Sequence, residues 1–177
     1  MKLVILDRDG VINHESPDYI KSPAEWHPIS GSLEAIAALS HKGYRIAVAT
    51  NQSGVGRGLY TDAMLATIHQ KMQEALQVLK GQVDHVFYCP HLPTAGCDCR
   101  KPEPGLLRQI AHYYQCDLTG VPFVGDSLRD VRAAHAVGCQ PILVRSGNGA
   151  AVEPLLKELS YDVLVYDDLA AFVATLP

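Results

Sequence analysis

Six short apolar runs rich in β-branched residues recur along this 177-residue chain: LVIL at 3–6, YRIAVAT at 44–50, DHVFYC at 84–89, PFVG at 122–125, PILV at 141–144 and DVLVY at 162–166. Between them lie longer stretches with apolar residues at helical spacing, over 32–42, 61–79, 105–114, 128–137, 151–159 and 169–176. In the first of these, Ser32 is the expected N-cap and Gly43 the C-terminal stop. Strands that are apolar throughout must be covered on both faces. Their alternation with helices therefore predicts an α/β, Rossmann-like fold with a mainly parallel sheet. No repeat or linker divides residues 1–177, which read as one domain. In such sheets ligands bind at the carboxyl ends of the strands, so the residues that stop each apolar run are the candidates for chemistry.

A net charge of −4 and the absence of any Lys/Arg run give no footprint for nucleic acid or anionic lipid, and a small ligand is the expected partner. The four-residue apolar run at the N-terminus is too short for a secretory or membrane-spanning segment. A cytoplasmic monomer is the expectation. Five cysteines, three of them clumped, suit a reduced compartment and a metal better than a disulfide framework.

Asp7 follows LVIL directly and Asp9 comes two residues later in DRDG, so both carboxylates can face the crevice while Gly10 turns the chain away. Such a pair suits phosphoryl transfer: one carboxylate attacks phosphorus, and the other protonates the leaving oxygen and then deprotonates water. Thr50 ends the second run, and the glycine-rich NQSGVGRG loop follows it, with amides that could hold phosphate oxygens. Asp126 ends PFVG. With Asp7 and the backbone carbonyl of Asp9 it would offer oxygen ligands for Mg2+, while Asp130 suits a capping or supporting position. Lys101 would offset the repulsion between a phosphate and the aspartates.

In HVFYCPHLPTAGCDCRKPEPG, Cys89, His91, Cys97 and Cys99 make a full tetrahedral set for a structural Zn2+. The segment has little apolar material of its own, and a metal there would fix the loop and anchor Arg100 and Lys101 at the crevice. Cys116 and Cys139 stand alone and read as small buried hydrophobes. The histidines outside the cluster show no ligand spacing.

Taken together, DRDG, Thr50, Lys101 and GDSLRD resemble the four motifs of the haloacid dehalogenase superfamily of phosphatases. The resemblance implies Asp7 as nucleophile, Asp9 as acid and base, Thr50 and Lys101 as phosphoryl stabilisers and Asp126 as the Mg2+ anchor. The zinc-type CxH…CxC loop followed by RKP resembles the branch of that superfamily holding heptose-bisphosphate and histidinol-phosphate phosphatases. TNQSGVGRG and KPEPG are more similar to the former; the five residues between His91 and Cys97 are similar to the latter. TNQSGVGRG is also similar to polynucleotide 3′-phosphatases, against which the zinc loop and the acidic balance argue. The resemblance implies a capless enzyme removing the 7-phosphate of a heptose 1,7-bisphosphate, for nucleotide-activated heptose of bacterial lipopolysaccharide. Histidinol-phosphate hydrolysis is the alternative. A phosphosugar sensor is the non-enzymatic reading, although a pure binder gains little from a nucleophile. Substrate contacts are expected from Glu15 and Tyr19, from Asn51, Gln52, Ser53 and Arg57 in the glycine-rich loop, and from Arg100, whose guanidinium fork matches a remote phosphate.

Overall fold

A computed structural model describes residues 1–160 and 162–177. Among the described residues, six strands form one parallel sheet: β1 (Lys2–Leu6), β2 (Tyr44–Asn51), β3 (His85–Cys89), β4 (Pro122–Gly125), β5 (Gln140–Val144) and β6 (Leu164–Tyr166), in the order β3-β2-β1-β4-β5-β6. Two-residue periodicity sends alternate side chains of β1 to opposite faces. Val4 and Leu6 meet Ile46, Val48 and Val124 in one core. It is closed by the apolar stripes of α1 (Ser32–His41), α3 (Asp62–Val78) and α7 (Leu169–Val173). Leu3 and Ile5 enter a second core with Ala47, Ala49 and Phe123, covered by α4 (Gly105–Tyr114) and α5 (Leu128–Ala136). Both faces of the sheet are thus buried, as the uninterrupted apolar runs require.

The strand order reverses direction between β1 and β4. Connections on the two sides of that line diverge and leave a crevice at the carboxyl ends of β1, β2 and β4. Over this end the described residues contribute loops, a 3-10 turn (Pro23–Glu25) and α2 (Ser53–Gly56), with no folded lid.

Several local details differ from the sequence reading. Gly31, at φ +83°, is the N-cap of α1. Ser32 is already helical, and its hydroxyl donates to the Val11 carbonyl at 2.9 Å. The segment 151–159 divides into α6 (Gly149–Val152) and a 3-10 stretch (Glu153–Glu158), because Pro154 lacks the N–H an α-helix would use. The helix expected over 169–176 ends at Val173, and β6 begins only at Leu164. Among the described residues no helix is long and apolar enough to cross a membrane.

Candidate active site

β1 stops at Leu6, and the Asp7 amide still donates to the Val124 carbonyl at 2.8 Å, so Asp7 leaves the sheet at its carboxyl edge. Its carboxylate is fixed at both oxygens: Oδ1 accepts from the Arg8 amide at 2.7 Å, and Oδ2 lies 2.9 Å from Lys101 Nζ. Lys101, 2% exposed, donates also to Asp130 Oδ1 at 2.6 Å and to the Ala49 carbonyl at 2.7 Å. Asp130 is itself engaged twice over. Its Oδ2 accepts from the amide and hydroxyl of Ser127, closing a capping box at the start of α5.

Asp7, Asp9, Thr50, Lys101, Asp126 and Asp130 line one cavity of about 80 Å3, which Glu15, Asn51, Ser127 and Arg129 complete. An adjoining cavity of about 260 Å3 shares Asp9, Glu15, Asn51 and Arg129 and adds Tyr19, Gln52, Ser53 and Arg100.

Electrostatics separate the carboxylates. Burial pushes Asp7 well above the usual carboxylate range; Lys101 pulls it back, and Asp130, Asp126 and Asp9 push it up again. Asp126 is pushed up to about 7, first by burial and then by Asp130. Burial opposes charge on Lys101 as well, but Asp130 and Asp7 outweigh it and keep the ammonium protonated. Asp9 differs: burial acts against its charge, yet the Arg8 guanidinium and hydrogen bonds from Asn13, Arg8 and Gln52 hold its carboxyl below the ordinary range.

Three carboxylates facing one ammonium leave an excess of negative charge that suits a divalent cation. Asp7, Asp126 and Asp130 present oxygens within 4.8 Å of one another. Asp130 is already taken by Lys101 and Ser127, so Asp7 and Asp126 are the better-placed donors. Asp126 is reached by the Asn148 amide at 2.9 Å, from the loop after β5, and space around it depends on two glycines. A Cβ on Gly10 (φ +80°) would stand 2.1 Å from Asp126 Oδ2, and one on Gly147 (φ +59°) would stand 2.3 Å from it. Gly10→Ala is therefore expected to weaken Mg2+ binding by about ten- to a hundredfold, measured calorimetrically on the metal-free protein. Native affinity in that variant would show that Asp126 is not a ligand.

The Cys/His cluster closes beside the crevice. Cys89 Sγ lies 3.5 Å from His91 Nδ1 and 3.7 Å from Cys97 Sγ, and His91 Nδ1 lies 3.3 Å from Cys99 Sγ. Tetrahedral zinc with bonds of about 2.3 Å to sulfur and about 2.0 Å to nitrogen sets its donors roughly 3.5–3.8 Å apart, so these separations lie near those of a tetrahedral metal site and far beyond a disulfide bond of about 2.0 Å. Backbone bonds tie this loop to the glycine-rich loop: Gln52 N to Cys89 O at 2.8 Å and Gly56 N to Pro90 O at 2.9 Å.

The side chains of Asn51 and Gln52 are engaged within the protein. Asn51 grips the Lys101 backbone from both sides, Nδ2 to O at 3.1 Å and Oδ1 from N at 3.0 Å. Gln52 Nε2 donates to Asp9 Oδ2 and to Thr50 Oγ1, each at 2.9 Å, and its Oε1 accepts from Tyr60 OH at 2.7 Å. Ser53 is buried as the first residue of α2. Arg57 is exposed and lies over the Tyr19 ring, 5.7 Å from its centroid. Glu15 is bound by the Asn148 side chain. Arg8, Asn13, Asn148 and Arg129 had no signal of their own in the sequence: Arg8 and Asn13 act on the nearby Asp9, Asn148 reaches Asp126 from a distant loop, and Arg129 lines both cavities.

The fold and this cavity define a phosphohydrolase of the HAD type, and residues 98–172 match the HAD-hydrolase-like family model. A Pseudomonas aeruginosa protein named D-glycero-beta-D-manno-heptose-1,7-bisphosphate 7-phosphatase is 54% identical over 174 residues, covering 98% of this chain and 97% of that protein. A relative of the same name from Escherichia coli K12 is 37% identical, covering 81% and 79%. The crystal structure of D,D-heptose 1,7-bisphosphate phosphatase from B. bronchiseptica, complexed with magnesium and phosphate, superposes with a TM-score of 0.92 at 50% identity, covering 98% and 97%. The chain belongs to the D-glycero-beta-D-manno-heptose-1,7-bisphosphate 7-phosphatase family of HAD-like hydrolases.

Proposed function

We propose that the protein hydrolyses the 7-phosphate of D-glycero-β-D-manno-heptose 1,7-bisphosphate, releasing heptose 1-phosphate and inorganic phosphate in the supply of activated heptose for lipopolysaccharide. The observation that carries this reading is the gathering of Asp7, Asp9, Thr50, Lys101 and Asp126 in one cavity beneath an arginine-bearing rim. The β anomer follows the name its relatives bear.

An Asp7 oxygen attacks phosphorus as the bond to the C7 oxygen breaks, and the phosphoryl group passes to the carboxylate. Asp9 gives a proton to the departing oxygen. Its pKa starts low, but an arriving phosphate sets negative charge beside it and moves it up, the direction an acid needs. Asp9 then takes a proton from water, which attacks the aspartyl phosphate and restores Asp7. Thr50 Oγ accepts from Gln52, so its own proton is left for a phosphate oxygen. Lys101, held by three acceptors, offers fixed positive charge without reorganising. Mg2+, held by Asp7 and Asp126 with the Asp9 carbonyl, would neutralise phosphate charge and align it with Asp7. Zn2+ at Cys89, His91, Cys97 and Cys99 would be structural, since those four donors leave no open position.

The rim fits a second phosphate. Arg100 Nη1 is buried without a partner, and burial, Arg129 and Arg57 all act against the charge of Arg100. An anion placed there would supply the missing acceptor and relieve the repulsion. Arg100→Ala or Arg129→Ala is expected to raise KM for the bisphosphate about tenfold or more with kcat nearly intact, since each removes a charge-assisted hydrogen bond. KM for a heptose 7-monophosphate should barely move. Equal effects on both substrates would remove the rim from phosphate recognition.

Phosphate release measured in parallel from the heptose bisphosphate, histidinol phosphate and a 3′-phosphorylated oligonucleotide tests the whole reading. A preference of several decades for either of the latter two would replace the substrate and spare the chemistry.

A further inference from the structure

Arg8 sits between the two aspartates of DRDG, yet it lines neither cavity and is only 1% exposed. It cannot meet the phosphate. Its guanidinium instead turns behind Asp9: Nε and Nη2 donate to Asp9 Oδ1 at 3.1 and 2.8 Å, and Nη1 lies 3.1 Å from His69 Nε2 on α3. Asn13 Nδ2 adds a bond to Asp9 Oδ1 at 2.8 Å, so Oδ1 is held by groups that line neither cavity, while Oδ2 accepts from Gln52 Nε2 at 2.9 Å.

His69 is the far end of this chain. Burial, with the Arg8 charge beside it, pushes the imidazole down to about 3. At neutral pH the ring is uncharged, and its Nε2 accepts from Arg8 while Nδ1 carries the hydrogen. The ring is braced edge-on by Tyr88, 6.5 Å away, whose hydroxyl donates to Asp62 at 2.7 Å. His69 thereby gives Nη1 a partner in a place where an unmet donor is costly, and so fixes which edge of the fork faces Asp9.

We propose that His69 is a positioning residue for proton transfer: acting through Arg8, it aims the Asp9 carboxyl at the leaving oxygen. This rests on the reading of Asp9 as the proton donor. The consequence is selective. A misaimed Asp9 slows expulsion of a sugar alkoxide, which must be protonated, and spares expulsion of p-nitrophenolate, which need not be.

The test uses the Mg2+- and Zn2+-loaded enzyme in single-turnover runs with the heptose bisphosphate and with p-nitrophenyl phosphate. His69→Leu is expected to slow transfer from the sugar phosphate by about ten- to a hundredfold, part of what a general acid contributes, with p-nitrophenyl phosphate and KM nearly unchanged. His69→Gln, whose amide oxygen can accept from Arg8, is expected to restore most of the loss. Equal slowing of both substrates, or no slowing, in His69→Leu overturns the proposal. If the leucine variant does not fold, His69→Met is judged by the same ratio. Asp9→Asn serves as the reference. Substrate discrimination in Asp9→Asn without it in His69→Leu refutes the role of His69 alone, and its absence from Asp9→Asn refutes the donor reading and this proposal together.

Discussion

Asp7→Asn is expected to lower turnover of the bisphosphate by a factor on the order of 10^4 or more, the scale on which enzymes lose rate when a nucleophile is removed. The amide keeps the shape of the carboxylate but cannot form the mixed anhydride. Folding should survive. Burial and three neighbouring carboxylates already oppose charge at position 7, and Lys101 keeps Asp130 and the Ala49 carbonyl when Asp7 is neutral. The melting temperature of the metal-free variant should hold or rise, and substrate should still bind. Intact mass after acid quench should show a phosphorylated adduct in the native enzyme and none in the variant. Residual turnover within tenfold of native would end the covalent mechanism, and an enzyme-free sensor would show no turnover in either form.

Zinc removal should have the next largest effect. The Cys99 thiol and the Lys101 ammonium are separated by one residue, and the loop before them has little apolar burial to hold it. Without the metal, three thiols and an imidazole gathered within 4.8 Å of one another would lose what draws them together. The Asn51 grip on the Lys101 backbone then holds one end of a slack loop. A displacement of about 1 Å at Lys101 costs on the order of 100-fold in rate, and that is the expected loss for zinc-free enzyme supplied with saturating Mg2+. Cys99→Ser should reproduce it, with a lowered melting temperature. Native turnover in enzyme verified as zinc-free would show that Lys101 is placed without the loop.

Residues of the crevice were legible in the sequence where the signal was local. Asp7, Thr50 and Asp126 stand at or next to the end of an apolar run, and strand ends in a parallel sheet converge. The Cys/His cluster was legible as a candidate metal site from residue type and spacing, and its four donor atoms do gather within 4.8 Å of one another. Other features were not, because their meaning lies in contacts between distant segments. Nothing in SLRDVR marks Arg129 as part of a rim with Arg100, and nothing in TIHQK marks His69 as the partner of Arg8. Asn51 and Gln52 were legible as members of a glycine-rich loop, but the bonds of their amides to Lys101, Asp9 and Thr50 depend on how that loop folds back. Helix starts were ambiguous for a simpler reason. A left-handed glycine can do the work of a capping serine, as Gly31 does beside Ser32.

The capping box of α5 has a bearing on how such a protein can change. One carboxylate, Asp130, both starts that helix and holds the Lys101 ammonium, so a substitution there is expected to damage durability and turnover together. Laboratory selection for heat tolerance alone, blind to any product formed, would still reject those variants. The usual bargain between a sturdier scaffold and a faster catalyst does not arise at this position.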